Sequence, residues 1–161
     1  MKNKKILKII GILALAGIVV GGAVGLYMFN MPHRDVQSTK TDFKIAAASL
    51  IEEFLLDADA ANERYLNEDG DSKILEVSGI VAKVSKDFND NVVVILREPD
   101  QDAGVSCTFL SNVQSTASQI QIGQEIKVKG VFRSGAYYDE DLRMYEDVII
   151  EKCDLVSRTH R

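Results

Sequence analysis

Hydrophobic and polar positions change their period twice along this chain. From Ile9 to Phe29, 21 residues run without a charge. A helix of that length, at about 1.5 Å per residue, spans roughly 30 Å, the hydrocarbon thickness of a bilayer. Between Thr41 and Leu66 apolar residues recur at helical spacing, first Phe43, Ala47, Leu50, Ile51, Phe54 and Leu55, then Ala58, Ala61, Tyr65 and Leu66. Asp57 and Asp59 are poor helix interiors and good N-caps, so the spacing predicts two amphipathic helices broken there. Ser38, Thr39 and Thr41 offer N-caps for the first. From Lys73 onward the period falls to two. Leu75, Val77, Gly79 and Val81 mark a long, curved strand whose glycine suits a bulge or bend. Val92 to Leu96, Val105 to Leu110, Ile120 to Phe132 and Met144 to Leu155 supply four more apolar or alternating runs. Turns are expected at Phe88 to Asn91 and Glu98 to Gly104, a short helix or loop at Ser111 to Gln119, and a loop at Ser134 to Arg143.

Two helices, three strands, a short helical connection and two strands follow the order of a five-stranded Greek-key barrel of OB type. The expected fold class is therefore β-rich α+β: an OB-type barrel preceded by two amphipathic helices, behind an N-terminal transmembrane helix. The corresponding divisions are a cytoplasmic basic N-terminus (1–8), the membrane helix (9–29), a polar tether (30–40), the helical segment (41–66), the barrel (73–156) and a tail (157–161). Lys2, Lys4, Lys5 and Lys8 precede the apolar run, which orients the N-terminus to the cytoplasm and the rest outside it, a single-pass protein of the cytoplasmic membrane. A cleaved secretory signal ending near Ala23-Val24-Gly25 is the alternative. Against it, the apolar character continues through Leu26, Tyr27, Met28 and Phe29. No lipobox cysteine follows. Gly17, Gly21 and Gly25 place small residues on one helix face, which would let two helices approach as a homodimer.

Several pieces of the external domain occur in a joint order that resembles the bacterial tRNA_anti-like family. They are Ala61-Asn62-x-x-Tyr65, Leu75-Glu76-Val77-Ser78-Gly79-x-Val81, Val105-x-Cys107-x-Phe109, Ile122-Gly123-Gln124-x-Ile126-x-Val128-x-Gly130 and Cys153-Asp154-Leu155. The resemblance covers about Asp42 to Val156. It implies an OB-fold domain of the kind often carried behind an N-terminal membrane or lipoprotein segment. Members usually pass from the tyrosine to the first strand through a short basic join, whereas Asn67 to Ser72 is longer and acidic here. Nucleic-acid binding is not implied by the family name.

Charge and residue counts then narrow the chemistry. All 24 acidic residues lie after residue 30 against 15 of the 19 Lys and Arg, a net charge of −9 on the external part. Nucleic acid is an unlikely partner for so acidic a domain, because displacing counterions from phosphates calls for a basic stripe. The two histidines, His33 in the tether and His160 in the tail, leave the barrel without a base for a Ser or Cys nucleophile. No enzyme and no cofactor are expected. A metal site is not expected either. Two cysteines over forty residues apart do not make a four-ligand zinc site, and Asp139-Glu140-Asp141 and Glu68-Asp69-Gly70-Asp71 lack the spacing of a calcium loop. In an OB barrel the third and fifth strands are neighbours, so outside the cytoplasm Cys107 and Cys153 are expected to form a disulfide.

What remains is binding. The favoured reading is a membrane-tethered, non-catalytic OB module recognising a protein, peptide or other envelope component. The alternative is an OB module for single-stranded nucleic acid or oligosaccharide. For either, the expected surface is the face of the second and third strands flanked by Lys86 to Asn91 and Ser134 to Arg143. Phe88, Tyr137 and Tyr138 are the candidate aromatic anchors, with Lys86, Arg97 and Arg143 as candidate polar contacts. Adjacent tyrosines on an extended segment point to opposite faces, so at least one of Tyr137 and Tyr138 is expected to be exposed.

Overall fold

The structure, a computed structural model, describes residues 2–29, 36–66 and 72–156. It divides into two compact units, Met1–Asp35 and Val36–Arg161. The first contains one helix, α1 (Lys2–Phe29), over the uncharged run. Side chains in α1 are described at residue 11 and over residues 13–27. Among the described residues no helix is long and apolar enough to cross a membrane, so the expected transmembrane span finds no support there. Gly17, Gly21 and Gly25 face open space, with nothing within 4 Å of an added Cβ.

The second unit is built on a closed barrel. Its strands are β2 (Ile74–Lys86), β3 (Val92–Leu96), β4 (Val105–Phe109), β5 (Glu125–Ser134) and β8 (Val148–Leu155), where β1, β6 and β7 are short strands introduced below. The order is β2-β3-β4-β8-β5, with β5 closing back onto β2 and β4 running parallel to β8. One strand serves two neighbours: residues 74–80 of β2 pair with β5, and residues 81–86 pair with β3. The register slips between Val81 and Lys83, two residues after Gly79, where the glycine predicts irregularity. A Cβ on Gly79 would lie 3.0 Å from Ala47 Cβ, so the glycine lets the helical layer approach the barrel. Alternation then sorts the side chains. Val92, Val94 and Leu96 of β3, and Val105, Cys107 and Phe109 of β4, are buried, while Val93, Ile95, Ser106 and Thr108 face outward.

Two helices close the core, α2 (Ala47–Leu56) and α3 (Ala58–Tyr65). They break where the acidic residues predict. Asp57 caps α3, its carboxylate accepting the Ala60 N–H at 3.1 Å. Leu50, Ile51, Phe54, Ala61 and Tyr65 join the barrel residues in one hydrophobic cluster. Phe54 stacks on Phe132 at 5.3 Å, and Tyr65 touches both Phe132 and Phe43. The Tyr65 hydroxyl donates to Glu53 at 2.8 Å. A polar connection follows β4: a 3₁₀ turn (Ser111–Val113) runs into α4 (Gln114–Ala117). The Gln114 side chain there accepts from Val92 N–H at 2.6 Å and donates to the Phe109 and Leu110 carbonyls.

Three features depart from expectation. The first helix begins at Ala47, not near Thr41, because Phe43–Ala46 forms a strand, β1, parallel to β2 with Phe43 opposite Leu75. Asp42 fixes that start by exchanging two bonds with Ile74, its N–H to the Ile74 carbonyl and its carboxylate from the Ile74 N–H. The predicted caps Ser38, Thr39 and Thr41 therefore cap nothing, and Ala46 occupies the N-cap without a side-chain bond. Secondly, the described part of the tether lies against the barrel. Val36 is buried with Ile74 and Val131, and Lys129 Nζ donates to the Gln37 and Thr39 carbonyls at 2.9 and 2.5 Å. Thirdly, the expected disulfide is absent: Cys107 and Cys153 are buried free thiols. Cys107 pairs in register with Ile150, and a bulge, with Lys152 at φ 55°, sets Cys153 opposite Phe109 instead. Each Sγ lies within weak hydrogen-bonding reach of a carbonyl, Val105 for Cys107 and Ile150 for Cys153. Burial, then contact with Cys107, pushes the Cys153 thiol well above its usual pKa, and both cysteines, wholly buried in the hydrophobic cluster, pack as small apolar core residues.

Candidate functional site

The loop predicted at Ser134 to Arg143 contains a small hairpin, β6 (Tyr137–Asp139) and β7 (Met144–Glu146), so the last run breaks at Asp147 before β8. Asp139 organises its turn, one carboxylate oxygen accepting the Asp141 and Leu142 N–H groups, both at 2.9 Å. Arg143 closes the turn in the left-handed region, φ 54°. Both tyrosines of β6 are exposed, Tyr137 at 52% and Tyr138 at 48%. Tyr138 sits directly opposite Tyr145, the rings edge-to-face at 5.0 Å.

Beside the hairpin lies a cleft of about 570 Å³, within the range of small-ligand sites. Tyr138, Tyr145 and Arg143 form one side, Arg97 and Asp102 from the β3–β4 connection another, and Ser106 of β4 with Ile149 of β8 the floor. The floor belongs to one register row across the sheet, Ile95 opposite Ser106 and Ser106 opposite Ile149. Asp147 holds the two sides together: its carboxylate accepts the Gly104 N–H at 2.6 Å, and Val148 N–H donates to the Gly104 carbonyl at 2.9 Å. A Cβ on Gly104 would lie 2.6 Å from Ile95 Cγ2, so the glycine fits this junction. Arg97, Arg143, Asp102 and Glu146 all line the cleft, and none of their side chains has a hydrogen-bond or ion-pair partner among the described residues.

The structure thus brings together three of the six candidates, Arg97, Tyr138 and Arg143. Tyr137 is on the same hairpin without lining the cleft. Phe88 and Lys86 belong to the β2–β3 turn. There Asp87 accepts from the Asn89 and Asn91 N–H groups and the Asn91 side chain, which together hold its carboxyl below its ordinary pKa. Phe88 projects fully exposed from that turn, and Lys86 pairs with Asp90 at 3.3 Å. Sequence reasoning missed Asp102, Ser106, Tyr145, Glu146, Asp147 and Ile149. The signal for the hairpin was present: tyrosines flank the acidic turn in Tyr-Tyr-Asp-Glu-Asp-Leu-Arg-Met-Tyr, and Tyr138 and Tyr145 become cross-strand neighbours once the turn forms. His33, His160 and the Glu68 to Asp71 cluster lie outside the described residues. Among the described residues no group of three or more His, Cys, Asp or Glu side chains comes together as a metal site.

A closed five-stranded barrel with strand order β2-β3-β4-β8-β5 and helices against its core defines an OB-like domain. The tRNA_anti-like family profile matches residues 1–140, and the chain belongs to that family. The match takes in the N-terminal helix and ends within the hairpin turn. No curated protein matches the chain. Among solved structures, the chain is similar to a Klebsiella pneumoniae lipoprotein given the provisional name of nucleic-acid-binding. Identity is 16% and the TM-score 0.51, over 79% of this chain and all of that one. It is also similar to an OBody bound to hen egg-white lysozyme, at 14% identity and TM-score 0.36 over 55% of this chain and all of that one. A third similarity is to RecG bound to a three-way DNA junction, at 16% identity and TM-score 0.33 over 53% of this chain and 11% of that one.

Proposed function

We propose that this protein is a non-catalytic OB binding module, held at the cytoplasmic membrane by its N-terminal helix, that receives a protein or peptide partner outside the cytoplasm in the cleft beside the β6–β7 hairpin. The observation that carries the reading is the cleft itself, with two guanidinium groups and the exposed Tyr138 beside half-buried Tyr145 over an outward sheet face, where OB barrels present ligands between rigidly held loops. The uncharged run behind four lysines supports the membrane placement, and so does the lipoprotein nature of the Klebsiella relative. That relative's provisional name favours a second reading, single-stranded nucleic acid. The charge of −9 beyond residue 30 weighs against it.

The test is a photo-crosslinking amino acid at Tyr138, compared with one at Ile122, an exposed position outside the cleft. In native membranes the Tyr138 derivative should capture a discrete protein or peptide adduct, sensitive to protease added to spheroplasts, and the Ile122 derivative should not. Nuclease-sensitive adducts would select the second reading. Equal adducts from both positions would remove the cleft from consideration.

A further inference from the structure

We infer that the hairpin cleft is selective for a zwitterionic peptide segment, one presenting both a carboxylate and an ammonium to it; this rests on the binding-module reading above and names its ligand class. Arg97 and Arg143 bring two cations to the cleft, Asp102 and Glu146 two anions, and none of the four side chains is paired among the described residues. Among the described residues four ion pairs form elsewhere in the unit, Lys44 with Glu76 at 2.8 Å, Arg133 with Glu151 at 2.8 Å, Arg64 with Glu53 at 3.2 Å and Lys86 with Asp90 at 3.3 Å, and none of them draws on a cleft residue. Unpaired charges of both signs around one cleft complement a ligand that carries both. A guanidinium recognises a carboxylate through two parallel hydrogen bonds, and a carboxylate accepts from an ammonium.

The floor and the balance of charge point away from a polyanion. Where a sheet binds bases, aromatic rings stack on them. Here the floor is Ser106 and Ile149, hydroxyl and aliphatic, suited to an aliphatic side chain and a peptide backbone. Tyr138 and Tyr145 spend part of their faces on one another. A run of phosphates would gain two guanidinium groups and meet two uncompensated carboxylates. Asp147, the third acid at the cleft, is already engaged by the Gly104 N–H.

The test uses the full-length chain in detergent micelles, with binding read by thermophoresis. The probes are acetyl-Glu-Leu-Lys-amide, its two versions with either charged side chain replaced by glutamine, and a thymidine decamer. The zwitterionic peptide should bind about tenfold more tightly than either singly charged version, the size of one charge-assisted contact. Arg97→Gln and Arg143→Gln should each weaken it about tenfold and leave the peptide lacking a carboxylate unchanged. Glu146→Gln should do the converse, affecting only peptides that carry the ammonium. Equal binding of the three peptides, or binding of none at millimolar concentration, overturns the inference. Decamer binding lost in the arginine variants would overturn the ligand class and leave the cleft as the site. Peptide binding indifferent to every cleft variant would overturn the site as well.

Discussion

Two aromatic clusters in this domain are made from similar residues and do opposite things. Phe43, Phe54, Tyr65 and Phe132 meet at the seam between helices and barrel, where Tyr65 is 1% exposed and its hydroxyl is satisfied by Glu53. Tyr138 and Tyr145 meet on a hairpin at the surface, beside two arginines whose side chains have no partner among the described residues. Backbone shape decides which is which. At the seam a glycine, Gly135, leaves room for a ring: a Cβ there would lie 2.0 Å from Phe54 Cδ1. At the hairpin Tyr145 packs partly against the core, and Tyr138, packed outside it, is left with solvent on one side. An aromatic residue's role is thus set by what stands opposite it and by whether its polar atoms are already used.

The contrast can be broken most forcefully at the seam. Phe132→Ala should cost about 3–5 kcal/mol by removing a wholly buried ring, measured by denaturant unfolding. Gly135→Ala should follow, about 1–3 kcal/mol, since Phe54 must leave its place to admit the methyl group. Combining it with Phe54→Leu should recover part of that loss; a purely additive double variant would show that the ring is not the obstacle.

Tyr65→Phe sharpens the comparison more gently, at about 1 kcal/mol for the lost bond to Glu53. Its effect depends on pH. Burial first, and the Glu53 carboxylate next, raise the Tyr65 phenol above its ordinary pKa of 10.0. A folded-state pKa above the unfolded one means that folding favours the protonated phenol. The associated stability is complete below about pH 10 and is lost as pH rises towards the folded-state value. Unfolding at pH 7 and at pH 10.5 should therefore show the gap between wild type and Tyr65→Phe narrowing; a constant gap would mean the phenol ionises equally in both states. The smallest effect belongs to the hairpin. Tyr138→Ser should change stability by no more than about 0.5 kcal/mol while abolishing partner capture, and a drop comparable to that of the seam variants would make its ring a packing residue.

Much of this arrangement was legible because it is local. Asp57 announced the helix break through its own side chain, and the strands of the barrel announced themselves by alternation. Where the outcome hung on distant partners, local reading failed. Phe43, Ala47, Leu50 and Ile51 fit helical spacing, yet Phe43–Ala46 became a strand because the free edge of β2, some thirty residues later, accepted it. The segment after residue 35 is polar and looks like a linker, but its bonds run from its backbone to Lys129, which composition does not reveal. Cys107 and Cys153 stand on neighbouring strands, but the register sets Cys107 opposite Ile150 and Cys153 opposite Phe109. At the site, Arg97, Tyr138 and Arg143 could be picked by residue type. Asp102, Glu146 and Ile149 depended on where the hairpin folds back, a matter of tertiary contact.

The docked segment from Val36 to Asp42 also determines how the domain would respond to mechanical load. A pull on the chain ahead of Val36 reaches first the Val36 contact with Ile74 and Val131, next the Lys129 grip on Gln37 and Thr39, then the Asp42–Ile74 bonds, and only afterwards β1. These contacts fall one at a time along the direction of peeling, so each breaks before the next is strained. The strand pairings that close the barrel, β2 with β5 and β4 with β8, come after the whole segment in that order. Load on the chain ahead of Val36 would thus meet a replaceable outer layer before it reached the pairings that shape the barrel and its cleft.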